Sequence, residues 1–206
     1  GLTLHRRDER ASAVTLPILT LDEHALDPRL GYVFQRTWLQ PYESLVGMLW
    51  KFAHMNRLPG HLVMSQLCSH PIDPYEGAVP ASIDVARVAR MLGISRRIVR
   101  EGICHATNDT SPFLRFCPSC ISAAYHSRLF QLERHARCPI HGDALRDVCR
   151  RCGRSSAFRL DSQLLDAPFR CKHCRRCYSS LGYAPPTVYR CLAPKARAAV
   201  TRAAIG

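Results

Sequence analysis

Residues 117–174 read CPSCISAAYHSRLFQLERHARCPIHGDALRDVCRRCGRSSAFRLDSQLLDAPFRCKHC, and eight side chains in this stretch decide what the chain can fold into. Cys117 and Cys120 are separated by two residues, and 17 residues then intervene before Cys138 and His141. Cys149 and Cys152 repeat the spacing, with 18 residues before Cys171 and Cys174. A pair separated by two residues turns both donor atoms toward one ion, and two such pairs supply the four tetrahedral donors that zinc prefers. The first set offers three thiolates and an imidazole. The second offers four thiolates at the spacing of a zinc ribbon. Two structural Zn2+ ions are therefore the expected cofactors. Two alternatives stay open: Cys177 in place of Cys174, and His135 or His173 in place of His141, although the spacing of the second pair favours His141.

Working outward, the chain holds eleven cysteines in 206 residues. A disulfide framework is the usual reading of such a count in a small secreted domain. Here most of the cysteines fall in closely spaced pairs, and the N-terminus, GLTLHRRDERASAV, lacks the apolar core of a secretory signal. Redox CxxC chemistry is disfavoured too, because the strand-turn-helix context it needs is missing. Cys68, Cys104 and Cys191 stand alone and are expected as core thiols. No apolar run approaches the roughly 18 to 20 residues of a bilayer span, so a cytoplasmic protein is expected.

The net charge is +13 and is unevenly placed. Residues 1–111 carry 12 Lys/Arg against 11 Asp/Glu, whereas residues 112–206 carry 17 against 5. Two zinc ions on seven thiolates would leave the second half near +9. A field of that sign attracts phosphate backbones without specifying a sequence. Arg150, Arg151, Arg170, Lys172, Arg175 and Arg176 are the nucleic-acid candidates in this half.

Toward the N-terminus the pattern is helical from about residue 29 to 67. Leu45, Met48, Leu49, Phe52 and Met55 recur on one face, Ser44 is placed to cap them, and Asn56, Pro59 and Gly60 mark the end. A Pro-rich loop is expected over 69–82. Residues 83–103 read IDVARVARMLGISRRIVREGI. Asp84 can cap a helix bearing Val85, Val88, Ala89 and Leu92, Gly93 can end it, and Ser95 can cap a second helix with Ile98 and Val99 inside. Helix, glycine turn and helix form the helix-turn-helix pattern, whose second helix would expose Arg96, Arg97 and Arg100 as nucleic-acid candidates. Gly102 falls where that pattern calls for another apolar residue.

The expected fold class is mainly α with small zinc-ribbon β elements. An extended arm at 1–28 precedes a helical helix-turn-helix domain at 29–111. A tandem zinc-finger domain follows at 112–180, and then a tail at 181–206 that stops inside an expected helix, as if the chain continued. No catalytic residues are expected. GxGxxG, Walker A, HExxH and GxSxG patterns do not occur, acidic residues are scattered, and both metal shells are filled by protein donors.

In order along the chain, Pro41-Tyr42-Glu43-Ser44-Leu45, Trp50 and Phe52, Asn56-Arg57-Leu58, and Leu92-Gly93-Ile94-Ser95 resemble the TniQ/TnsD family of transposon target-selection proteins. The resemblance is most specific at Phe116-Cys117-Pro118-Ser119-Cys120, Cys138-Pro139-Ile140-His141-Gly142, Leu145, and Cys149 to Cys152-Gly153. Tyr125, Arg128 and Phe130 fill the family's basic-aromatic stretch, with Phe130 where Trp is usual and Arg150 where Pro often stands. The likeness covers about residues 40 to 180. It implies a short, non-catalytic adaptor that links a target-recognition device, a DNA site or an RNA-guided CRISPR effector, to a TnsC-like AAA+ ATPase and through it to the transposase. The rival reading is a free-standing zinc-containing transcription regulator that reads the major groove with residues 83–103.

Overall fold

Ser44 starts the central helix. Its hydroxyl accepts the Gly47 N–H at 3.0 Å, an N-cap bond. From there α1 runs Leu45–Asn56 and ends where Arg57 turns left-handed at φ 51°. The sequence pattern gives α1 one apolar face, yet every residue from Leu45 to Ala53 is buried, Lys51 included. The reason is that α1 is packed on several sides, by α2 (Gly60–Ser65), α4 (Arg96–Gly102) and α6 (Ser162–Leu165). A helix surrounded in this way belongs to the core. The computed structural model describes residues 32–105, 107, 109–182 and 192–205. The expected arm at 1–28 and Cys191 lie outside the described residues.

The pair α3 (Val85–Leu92) and α4 has the caps its sequence calls for. Asp84 accepts from the Ala86 and Arg87 N–H groups at 2.9 and 3.1 Å. Gly93 takes φ 63°, and Ser95 accepts from the Ile98 N–H at 3.4 Å. The end of α4 lands on the start of α1. A Cβ on Gly102 would lie 2.8 Å from Met48 Cε and 3.1 Å from Leu45 N, so glycine replaces the expected apolar residue because two helices meet there.

The segment between the two halves of the second cysteine set is the floor of the helical half. Trp50 Nε1–H donates to the Leu164 carbonyl at 2.8 Å, and the Gly60 N–H donates to Asp166 Oδ1 at 2.5 Å. Ala78 and Leu160 exchange both backbone hydrogen bonds at 2.8 and 2.9 Å. Leu160, Leu164, Leu165 and Phe169 join Leu45, Leu49, Trp50 and Phe52 in one apolar cluster. Described residues on both sides of residue 111 thus share one core, and Cys117, Cys120, Tyr125, Phe130 and Cys138 form a second, smaller cluster. The β component is reduced to isolated antiparallel bridges among the described residues, Phe116 with Arg146 and Val148 with Ser155 among them. The remaining helices are α5 (Pro118–Ser122) and α7 (Pro194–Ile205), and no described helix is long and apolar enough to cross a membrane.

A buried histidine ties α1 to the cysteine-rich half. His126 Nε2 lies 2.8 Å from the Arg115 carbonyl, which can only accept, so Nε2 carries the proton. Nδ1 therefore accepts from the Ser44 hydroxyl, 2.6 Å away. Burial lowers the His126 pKa to about 4, so the folded chain holds it neutral. A depressed folded pKa means that this contribution is complete above pH 6.5 and is lost as pH falls toward 4, about 3 kcal/mol across the window. Denaturation midpoints followed between pH 7 and 5 should show the decline. The His126→Gln chain, less stable at pH 7, should show a shallower one.

Candidate metal centres

Each of the two donor sets closes into one cluster. Cys117, Cys120, Cys138 and His141 place their donor atoms within 4.8 Å of one another, and so do Cys149, Cys152, Cys171 and Cys174. In the first cluster His141 Nδ1 lies 3.4 Å from the sulfurs of Cys117 and Cys120 and 3.6 Å from that of Cys138. The Cys120 and Cys138 sulfurs are 3.6 Å apart. In the second, Cys149 to Cys174 and Cys152 to Cys171 are each 3.7 Å. A tetrahedron with Zn–S near 2.3 Å and Zn–N near 2.05 Å has edges of about 3.8 Å (S to S) and about 3.6 Å (S to N). The donors thus fit a small ion at each centre, and the two clusters are able to hold two metal ions.

The crowded sulfurs also perturb one another. The Cys117 and Cys120 thiols face the Cys138 sulfur and bring its thiol down to about 3, while contact with Cys117 and Cys138 drives Cys120 well up. Burial pushes the Cys171 thiol up to about 12.

The alternatives of the sequence are resolved by position. Cys177 points away from the second cluster toward the Phe169 carbonyl at 3.5 Å. His173 Nε2 sits 3.1 Å from the Ser155 carbonyl, and neither His135 nor His173 belongs to a four-donor group. Cys68 and Cys104 are buried, as expected of core thiols.

Three of the four ligand pairs are built by one backbone device. The N–H of Cys138, Cys149 or Cys171 donates to the carbonyl five residues on, Asp143, Arg154 or Arg176. The carbonyl of the same cysteine accepts from the residue four on, Gly142, Gly153 or Arg175, at 2.8 to 2.9 Å. That fourth residue is left-handed each time, with φ of 72°, 69° and 61°. Glycine adopts this conformation freely, while other L residues lose about 1 kcal/mol. A Cβ on Gly153 meets nothing within 4 Å, so the conformation alone sets the cost of replacing it. Gly153→Ala should lower stability by about 1 kcal/mol, read as a shift in denaturant midpoint; an unmoved midpoint would contradict this account. The remaining pair, Cys117 and Cys120, instead straddles the start of α5 with Pro118 at its first position.

Around these centres the basic side chains divide. Arg150, Arg151, Arg154, Arg170, Arg175 and Arg176 are exposed about the second cluster. Lys172, grouped with them on sequence, turns inward and pairs with Asp161 at 2.5 Å, with both side chains largely covered. Asp161 also caps α6, accepting the Leu164 N–H at 2.7 Å. It is a supporting residue that the sequence reading missed, and Asp161-Ser162 ahead of an apolar pair is the capping signal that marks it. Arg96, Arg97 and Arg100 are exposed on α4, with Arg97 paired to Glu101 at 2.7 Å. Neither a protein-family model nor a curated protein matches this chain.

Proposed function

We propose that this chain is a non-catalytic, zinc-stabilised adaptor of DNA transposition that works in the cytoplasm on nucleic acid. It couples a target-recognition device to a TnsC-like AAA+ ATPase, and through the ATPase to the transposase. The observation that carries the reading is a capped helix pair, with arginines on its second helix, that shares one core with the second four-donor cluster, the first cluster standing in its own small apolar group beside it. Three thiolates with one imidazole, and four thiolates, are donor sets that favour zinc over harder ions. Four protein donors fill a tetrahedral shell, which supports a structural ion over a catalytic one. In this reading α3, Gly93 and α4 are the helix-turn-helix, and the tight pairs around the second ion are the ribbon knuckles. The ATPase and transposase come from the family resemblance. Capture of the tagged protein from its host, with identification of co-purifying proteins, is the test. An AAA+ ATPase, with or without a CRISPR effector, supports the adaptor; one DNA site enriched without any ATPase counts against it.

Exposure of Arg96, Arg97 and Arg100 favours the second reading, a transcription regulator that lays α4 in the major groove. It requires sequence-dependent duplex binding, abolished when the three arginines are reversed in charge. An adaptor would lose affinity evenly across sequences, or keep it.

A further inference from the structure

The geometry points to one polyphosphate-binding track that crosses from the second metal unit onto the end of α1, with Arg175 and Arg57 as its fixed points; this rests on the nucleic-acid side of the proposed function. Both arginines occupy left-handed backbone positions, φ 61° for Arg175 and φ 51° for Arg57. The two sibling turns use glycine at the position of Arg175. A helix end such as that of α1 is commonly closed by glycine or asparagine. An exposed, long, charged side chain held where a glycine would be less strained is a feature that local stability does not explain, and such outliers gather at functional positions.

The positions are joined in space. Arg170 Nη1 donates to the Arg175 carbonyl at 3.3 Å, so the two residues flank one turn. Phe169, next to Arg170 in the chain, packs against the Trp50 ring with centroids 5.0 Å apart, one turn ahead of His54 on α1. Asp166 accepts the Gly60 N–H at 2.5 Å just past Arg57, so this segment lies against the end of α1, and the guanidiniums of Arg170 and Arg57 both add to the lowering of the His54 pKa that burial begins. On the far side, the 3.7 Å separation of the Cys149 and Cys174 sulfurs brings the turn of Arg150 and Arg151 against that of Arg175 and Arg176. A divalent ion on four thiolates would carry −2, and the six exposed arginines of this unit exceed that by four. Lys172 is not part of the track, because Asp161 holds it. Nor are the α4 arginines. Gly102 meets α1 at Leu45, whereas Arg57 lies beyond Asn56, twelve residues or about 18 Å along the helix.

The test sets binding against stability in a double variant, Arg57→Asn with Arg175→Gly, using the zinc-loaded chain. The probes are a short mixed-sequence duplex DNA, the matching single strand and an RNA hairpin, each titrated at several salt concentrations. Both replacements suit a left-handed backbone, so the variant should melt at or above the wild-type temperature. Its affinity should fall about tenfold, and the slope of log affinity against log salt should flatten by about 2, one per lost phosphate contact. The probe most affected identifies the natural polyphosphate. Wild-type affinity and slope in the double variant would overturn the track. If reversing Arg96, Arg97 and Arg100 then abolished binding, nucleic-acid binding would survive on α4 alone. A wild-type chain that ignored all three probes would end both the track and the nucleic-acid side of the proposal, while capture of an ATPase would still decide the adaptor independently.

Discussion

Replacing Cys171 with serine should unfold the helical half of the protein along with the second metal centre, even though Cys171 lies outside every helix. Cys171 anchors one end of the segment 153–170, and that segment carries Leu160, Leu164, Leu165 and Phe169 into the core beneath α1 and α2. The same segment satisfies the Trp50 indole N–H, the Gly60 N–H and the backbone of Ala78. Structural zinc contributes about 10 to 16 kcal/mol in small peptides, comparable with the whole stability of a domain, about 5 to 15 kcal/mol. Serine replaces a thiolate with a hydroxyl, a weaker donor to a metal ion at this centre, so the segment loses its clamp and the core loses its floor. Both tryptophans, Trp38 and Trp50, are buried in the helical half, which makes fluorescence a clean reporter of that half. Far-UV helix signal should drop and tryptophan emission should shift to the red, to the end point that a strong chelator gives with the wild-type chain. Cys138→Ser should do less to α1, because the first centre sits in a separate small cluster with Tyr125 and Phe130. A Cys171→Ser chain with full helix content and a cooperative melt would mean that the helical half folds without the metal unit.

That dependence explains which features were legible in the sequence. The two four-donor clusters were, because spacing along the chain fixes where two donors can point, and no distant partner is needed to read Cys149-Arg150-Arg151-Cys152. The caps Ser44, Asp84 and Ser95 and the stop at Gly93 were legible for the same reason: each bonds within four residues of itself. What escaped involves partners far apart in the chain. One core across residue 111 depends on α6 meeting α2, about a hundred residues away, and Gly60 records that contact, since a Cβ there would overlap the Ser162 carbonyl oxygen. Lys172 read as a surface cation because its partner Asp161 lies across a turn. Lys51 was silent in a helix judged only by its apolar positions.

Lys51 carries the second large effect. Its ammonium lies 2.6 Å from Glu43 Oε1 and 2.5 Å from the Trp38 carbonyl, with both charged side chains fully buried. The other Glu43 oxygen accepts the Gln40 N–H at 3.0 Å, so the pair locks the chain before α1 to the middle of the helix. Burial raises the Glu43 pKa even with Lys51 present. In Lys51→Met the carboxylate loses the buried cation that pairs with it, and the expected loss is about 3 to 5 kcal/mol at pH 7. The sign with pH follows from the raised folded pKa. A protonated Glu43 is tolerated, so the variant keeps most stability near pH 4 to 5 and loses it as pH rises, opposite to the trend expected of His126. Adding Glu43→Gln removes the buried charge and should return much of the loss, because an apolar or neutral replacement of both partners costs less than breaking the pair. Urea midpoints of the four chains at pH 5 and pH 8 form a double-mutant cycle that reads this directly. Equal midpoints for Lys51→Met and the double variant at pH 8 would place the loss in packing around the lysine stem, and the Glu43 charge would then play no part in it.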